Sequence, residues 1–357
     1  MTQKTSLYEE HCSLGAKIVD FAGWNMPIQY KNLKEEVTAV RNSCGVFDVS
    51  HMGEFFIEGK DTYKFLDYLL PNNIGKAPLN KAIYSPLLRE NATIIDDLIV
   101  YKLTDEKALI CVNASNIDKD FQWMEKNIIS YDCELSNDSA NFSLLAVQGP
   151  HSENILSTIL DLNLSDIPYY GVKEIQSSGT SMILARTGYT GEDGFEIFAN
   201  HSKIKELWKA LIDQGVTPCG LGARDVLRLE VCYPLYGHEL TDDTTPYETG
   251  LKWTVKNDKE NYIGKNALID SQPKTKLIKL ILEKGIPREG YSVETTEDGV
   301  IGEITSGTMS VMLKKGVAIA RVNQEKFNSE HEFLVDIRGK KYNAQIVTKP
   351  FVSGGHK

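Results

Sequence analysis

Residues 94–101 read Ile94-Ile95-Asp96-Asp97-Leu98-Ile99-Val100-Tyr101. Successive side chains of a strand point to opposite faces, and here apolar residues occupy both alternating sets, so the run reads as a strand buried on both sides. Such a strand needs a layer above and a layer below. Helical patterns on either side can supply them. Lys31 to Cys44 repeats Leu33, Val37 and Val40 on one face, and Asp61 to Leu70 opens on an N-cap residue and presents Phe65, Leu66, Leu69 and Leu70. Ser115 with Asp118 forms a capping-box-like start to a helix through Phe121 and Met124, and Ser202 opens another that closes at Gly215. Strand-like runs lie between them at Ala108 to Val112, Ser143 to Val147, Ser181 to Arg186 and Phe195 to Ala199. The body is expected to be α+β.

From Lys274 onward the pattern changes to short strands broken by glycines: Lys276 to Glu283, Val300 to Thr305, Gly316 to Val322, Glu332 to Ile337 and Lys341 to Val347. Regularly spaced short strands predict a small all-β barrel or sandwich. The pattern breaks near Ser271 to Thr275, which divides the chain into a body, residues 1–272, and a C-terminal β domain, residues 273–357.

A chain of 357 residues with 41% apolar and 25% charged residues has the composition of an ordinary globular protein. A net charge of −10 argues against a nucleic-acid binder, and no apolar run approaches the roughly 18 residues of a membrane span. The cysteines form no CxxC pair and no zinc-like set with histidine, so no metal is expected. Met1 to Glu10 shows neither a signal peptide nor a transit pattern, which predicts a cytoplasmic, bacterial protein. Walker, GxGxxG, HExxH and GxSxG motifs are absent.

Three stretches could carry chemistry. In the first, Asp96 and Asp97 must point to opposite faces, and an unpaired charge turned inward would be costly. Either the pair caps backbone amides at a bulge, or one carboxylate is kept for a ligand; both readings remain open. The second is Thr187 to Glu196, a glycine-rich loop leading into a strand. Glu196 could accept two hydrogen bonds from a ring bearing adjacent N–H donors, such as a pterin or guanine, and Tyr189 could stack or hydrogen-bond; a plain hairpin with a solvated Glu196 is the alternative. The third is Gly220 to Glu230, where Arg224 falls in the first turn of a helix, the end whose dipole disfavours a cation. An anionic or polar ligand, or an ion pair with Asp225, would compensate it.

Together these stretches resemble the glycine cleavage T-protein family. The resemblance runs from Phe21-Ala22-Gly23-Trp24 and Pro27-Ile28-Gln29-Tyr30 through Val46-Phe47-Asp48-Val49-Ser50-His51-Met52 and the aspartate strand. It continues with Gly188 to Gly194, Gly222-Ala223-Arg224-Asp225 and Leu227-Arg228-Leu229-Glu230, and ends with Ile304-Thr305-Ser306-Gly307 and Pro350-Phe351-Val352. It implies a cloverleaf-like α+β folate-binding body of two subdomains with a C-terminal all-β barrel. It also implies an aminomethyltransferase that accepts its one-carbon unit from the lipoyl arm of H-protein, releases ammonia and forms 5,10-methylenetetrahydrofolate. Tetrahydrofolate is then the acceptor and lipoylated H-protein the partner, with neither metal, nucleic acid nor membrane involved. By the same resemblance Asp97 is the catalytic carboxylate, and Glu196 and Arg224 contact folate. Met52, Tyr84, Asn113, Tyr189, Tyr233 and Trp253 are further pocket residues.

Two relatives of the same fold give alternatives: a folate-binding iron–sulfur maturation factor, which carries a cysteine in the loop that is Gly188 to Gly194 here, and a folate-dependent demethylase. This loop has no cysteine. Because strand alternation turns Asp96 away from Asp97, substitution of Asp96 is expected to leave most activity. Asn91-Ala92-Thr93 stands where relatives often have two glycines, and the resemblance assigns no role to His356 at the short C-terminus.

Overall fold

The computed structural model describes residues 2–177 and 179–355; His356 lies outside them. Beside a small sheet of Gln3–Lys4, Trp24–Gln29 and Lys17–Phe21, two large, mainly antiparallel sheets dominate the body. One carries five strands in the order Lys81–Leu88, Ile94–Lys102, Lys107–Val112, Gly53–Glu58, Glu134–Asn137. The other carries six, in the order Val172–Ser177, Thr180–Ala185, Gly194–Asn200, Phe142–Gln148, Gly45–Asp48, Thr217–Pro218, the last paired in parallel. The sheets are joined at their edges by a bridge between Lys81 and Gly171 and by the Ala82 N–H donating to the Tyr170 carbonyl.

The double-sided apolar runs have a direct structural cause. In Phe142–Gln148, Leu145 and Val147 face helices Ser152–Leu160 and His201–Asp213, while Leu144 and Ala146 face the layer between the two sheets. In Ile94–Lys102, Leu98 and Val100 face helices Thr62–Leu69 and Ile117–Ile128, while Ile99 and Tyr101 face the inter-sheet layer. Both sheets therefore have a covered outer face and share an inner one. Helices Leu33–Asn42 and Leu221–Glu230 pack on each other, and the second also contacts strand Trp24–Gln29 and the C-terminal domain.

The glycine-broken strands close into a six-stranded barrel in the order Thr275–Leu282, Gly316–Asn323, Gly299–Met309, Ser292–Thr295, Phe333–Ile337, Lys340–Val347. A barrel rather than a sandwich forms because the first and last strands pair along Lys279 to Leu282. The sequence pattern missed Ser292–Thr295, whose register with its neighbour slips at Val293/Glu294.

Two helix starts differ from expectation. Ala114–Asn116 is a 3₁₀ turn leading into Ile117–Ile128, with no side-chain cap at Ser115. The cap of His201–Asp213 is Asn200, whose side chain accepts from the Lys203 N–H, so Ser202 lies inside the helix. Asn200 thus does the capping expected of Ser202, whereas the helix after Asn113 starts without a side-chain cap. At Ala92, where relatives often carry glycine, the chain keeps a positive φ of 68°. The turn into the aspartates thus has a backbone conformation that glycine adopts without strain.

Candidate active site between the two sheets

Parity along two strands brings both critical carboxylates into the inner layer. Phe195, Ile197 and Ala199 face the outer core, so Glu196 turns inward; Leu98 and Val100 face theirs, so Asp97 turns inward with Ile99 and Tyr101. Asp97 is half-buried, and its carboxylate is held at both ends: the Tyr84 hydroxyl donates to Oδ2 (2.9 Å) and the Asn113 amide to Oδ1 (2.9 Å). Burial and the adjacent Asp96 push its carboxyl up to about 7, against the opposing pull of these two donors.

Asp96 takes the other reading left open by the sequence. It is fully buried, sits where the pairing with Lys81–Leu88 slips by a residue, and accepts from the Asn113 backbone N–H (3.1 Å). One aspartate therefore caps amides while its neighbour faces the inner layer.

Glu196 is held on one side only. Its Oε2 accepts from the Thr187 hydroxyl (2.5 Å) and the Tyr101 hydroxyl (3.2 Å), whereas no hydrogen bond to Oε1 occurs among the described residues. Tyr101 lies four residues along the strand from Asp97, on the same face. Sequence reasoning quoted Tyr101 without assigning it a role; its shared parity with Asp97 was the available signal.

Arg224 lies on helix Leu221–Glu230, and its Nη1 is buried with no acceptor. Asp225 does not compensate it, because that carboxylate accepts from Arg228 Nε (2.9 Å) one turn along. The Arg224 guanidinium sits 4.8 Å from the centre of the Tyr189 ring. The cation is thus stacked but unneutralised in a partly dry layer, an arrangement suited to an anionic or strongly polar ligand. Burial first, against the pull of Asp48 and assisted by the Arg224 charge, pushes the nearby His51 down to about 4.

The remaining sequence candidates fall around these three. The Tyr189 hydroxyl donates to the Pro234 carbonyl, and its ring lies 5.9 Å from that of Tyr233. Met52 is half-buried against the inner layer. Trp253 is 60% exposed and stacks on Tyr84 at 6.0 Å, so it forms an outer wall behind the tyrosine that holds Asp97.

Sequence reasoning missed Arg41. This buried side chain on Leu33–Asn42 donates to the Thr190 carbonyl (2.6 Å), Glu192 Oε1 (2.9 Å), the Leu227 carbonyl (3.2 Å) and Glu230 Oε2 (2.9 Å). It ties the Tyr189 loop to the Arg224 helix. Glu230 in turn accepts from Ser310 Oγ (2.8 Å) in the barrel domain. No periodicity marks such a residue, since an arginine on an amphipathic helix is usually solvated. No cluster of His, Cys, Asp and Glu able to hold a metal occurs among the described residues, and none of their helices is long and apolar enough to cross a membrane.

Residues 7–259 match the GCVT N-terminal domain and residues 275–353 the glycine cleavage T-protein C-terminal barrel domain. The chain belongs to the glycine cleavage T-protein family, whose activity is aminomethyl transfer. It is 45% identical to the aminomethyltransferase of Thermosipho melanesiensis, over 99% of this chain and 98% of that one. It is 44% identical to that of Thermotoga sp. (strain RQ2), over the same shares. The crystal structure of glycine cleavage system aminomethyltransferase T from Bartonella henselae superposes with a TM-score of 0.94 at 32% identity, covering 100% of this chain and 99% of that one.

Proposed function

We propose that the chain transfers the methylene carbon of an aminomethyl group, carried on the lipoyl arm of H-protein, to tetrahydrofolate, giving 5,10-methylenetetrahydrofolate with release of ammonia and of dihydrolipoyl H-protein, and that Asp97 is its catalytic residue. The observation that carries this reading is the carboxylate of Asp97, half-buried, oriented from two sides and raised to about 7, in the layer it shares with Glu196 and Arg224. A carboxyl poised there can orient an amine and take its proton as the new carbon–nitrogen bond forms. Tyr84 and Asn113 prevent its rotation, so its accepting lone pairs keep one direction. Glu196 Oε1 offers the unused acceptor for ring N–H groups, Arg224 the unneutralised cation, and Tyr189 an aromatic face. Met52, Tyr233 and Trp253 complete the surroundings. The loss of a nitrogen leaving group from an activated carbon leaves the protein mainly the tasks of positioning and proton handling.

We take residues 1–272 as the substrate-holding body and 273–357 as the barrel domain; the matched family spans and the barrel's first strand at Thr275 support that division. A cytoplasmic location is part of the same proposal. The direct experiment supplies aminomethylated H-protein and tetrahydrofolate and measures 5,10-methylenetetrahydrofolate and ammonia. Formation of neither would overturn the reading.

Replacing Glu196 by Ala is expected to weaken folate binding by about 1.5–3 kcal/mol, the usual contribution of a hydrogen bond to a charged group. Calorimetry on the folded variant checks this, and an unchanged affinity would remove Glu196 from the site. The pH dependence follows from Asp97. The ionised form is the proton acceptor and its proton affinity is raised, so the acceptor is lost as pH falls below about 7. Turnover should therefore rise about tenfold per unit on the acid side and level off above neutrality. A profile flat from pH 5 to 8 would contradict it.

A further inference from the structure

Asp96 points away from Asp97, yet the two are tied together by one side chain. The Asn113 amide nitrogen lies 2.8 Å from Asp96 Oδ1 and 2.9 Å from Asp97 Oδ1. Asp96 Oδ1 also accepts from the Asn116 amide (2.7 Å), and its Oδ2 from the Asn113 backbone N–H (3.1 Å). These amide donors hold the carboxylate, and no salt bridge to Asp96 occurs among the described residues.

Beside it stands Asp120 of Ile117–Ile128, fully buried, with neither oxygen accepting a hydrogen bond. Burial first, and then the charge of Asp96 and a side-chain hydrogen bond between the two carboxyls, push the Asp120 carboxyl well above the usual range. The neighbouring Lys119 does not reach either carboxyl and donates instead to the Tyr236 hydroxyl (2.8 Å). Two buried acids behind a third are costly unless they serve the site.

We propose that Asp96 is a positioning residue for Asp97: held by Asn116 and by the Asn113 backbone, it fixes the shared Asn113 amide that aims the Asp97 carboxylate. This rests on reading Asp97 as the group beside the reacting amine. It also revises the expectation that Asp96 can be replaced with little loss, because opposite faces of a strand do not isolate two carboxylates that share a donor. The groups facing Asp97 are Tyr84 from the preceding strand, Asp96 on its own strand, Asn113 beyond the following strand, Tyr189 from the loop and Asp120 from the helix. Those facing Asp96 are Asp97, Asn113, Asn116, Asp120, Cys111 and Tyr236. Lys119, on the helix that carries Asp120, is the cation acting on this cluster, opposing the rise of Asp120 without hydrogen-bonding either aspartate.

The test follows aspartate carboxyl resonances of the full-length, ¹³C-labelled protein across pH, with Asp97→Asn identifying the Asp97 signal. In Asp96→Asn the Asp97 midpoint should fall by about one unit or more as the like charge disappears, and the acid limb of turnover should move with it. A merely structural role would lower turnover without moving either midpoint. Should Asp96→Asn fail to fold, Asp96→Ser removes the same carboxylate while keeping an acceptor for the Asn113 and Asn116 amides, and should lower the Asp97 midpoint in the same direction. A folded variant with an unmoved Asp97 midpoint overturns the proposal, even if Asp97→Asn is inactive. If instead the midpoint moves while Asp97→Asn keeps full turnover, the coupling holds and the catalytic reading of Asp97 falls.

Discussion

Asp97→Asn is expected to lower turnover by roughly 10²–10⁴, the usual contribution of a positioned acid or base, while folate affinity changes far less. The substitution keeps size and shape, and one side-chain oxygen can still accept from Tyr84 or Asn113. It removes the negative charge and the ability to take a proton. Because the wild-type carboxyl is already raised to about 7, neutralising it does not introduce a new buried charge, so the variant should melt close to wild type. Single-turnover measurement of ammonia release from aminomethylated H-protein separates this chemistry from product release. Near wild-type turnover would end the catalytic assignment. A loss that follows a lowered melting temperature would mean that Asp97 serves the fold instead.

The largest expected effect on stability is at Arg41. Arg41→Ala leaves the buried Glu230 and the largely buried Glu192 without their cation, and removes donors from two backbone carbonyls. Breaking a buried ion pair from one side costs about 3–5 kcal/mol, because the remaining charge is left uncompensated. Since Arg41 joins the Tyr189 loop to the Arg224 helix, folate binding should weaken along with stability. Arg41→Lys should recover only part of both, because an ammonium cannot reproduce the fork that reaches Glu192 and Glu230 together. Urea unfolding and folate calorimetry on the three proteins check this, and an alanine variant within about 1 kcal/mol of wild type would show that the clamp is dispensable.

Several features were legible in the residues themselves. The apolar run at 94–101 read as a strand covered on both faces, Ser143 to Val147 read as a strand, and the glycine-broken strands after Lys274 announced a barrel or sandwich. The ordered family segments indicated the activity that the relatives share. Helix starts were less legible. Asn113 and Asn200 both stand where a strand passes into a helix, and only Asn200 acts as a cap; Asn113 spends its side chain on the two aspartates.

What the sequence determined by itself was therefore local: element type, and the parity that sends Asp96 and Asp97 to opposite faces and puts Tyr101 on the side of Asp97. A strand's alternation says that two faces exist, but which one becomes a site depends on what packs against each. Helices Thr62–Leu69 and Ile117–Ile128 cover the Asp96 face, and the second sheet stands opposite the Asp97 face. In the same way, Arg224 lacks a carboxylate because the folded helix gives Asp225 to Arg228, and Arg41 finds Glu230 across 189 residues of chain. Periodicity carries information over one or two turns of structure, whereas charge compensation is decided by whichever groups the completed fold brings within about 3 Å of one another.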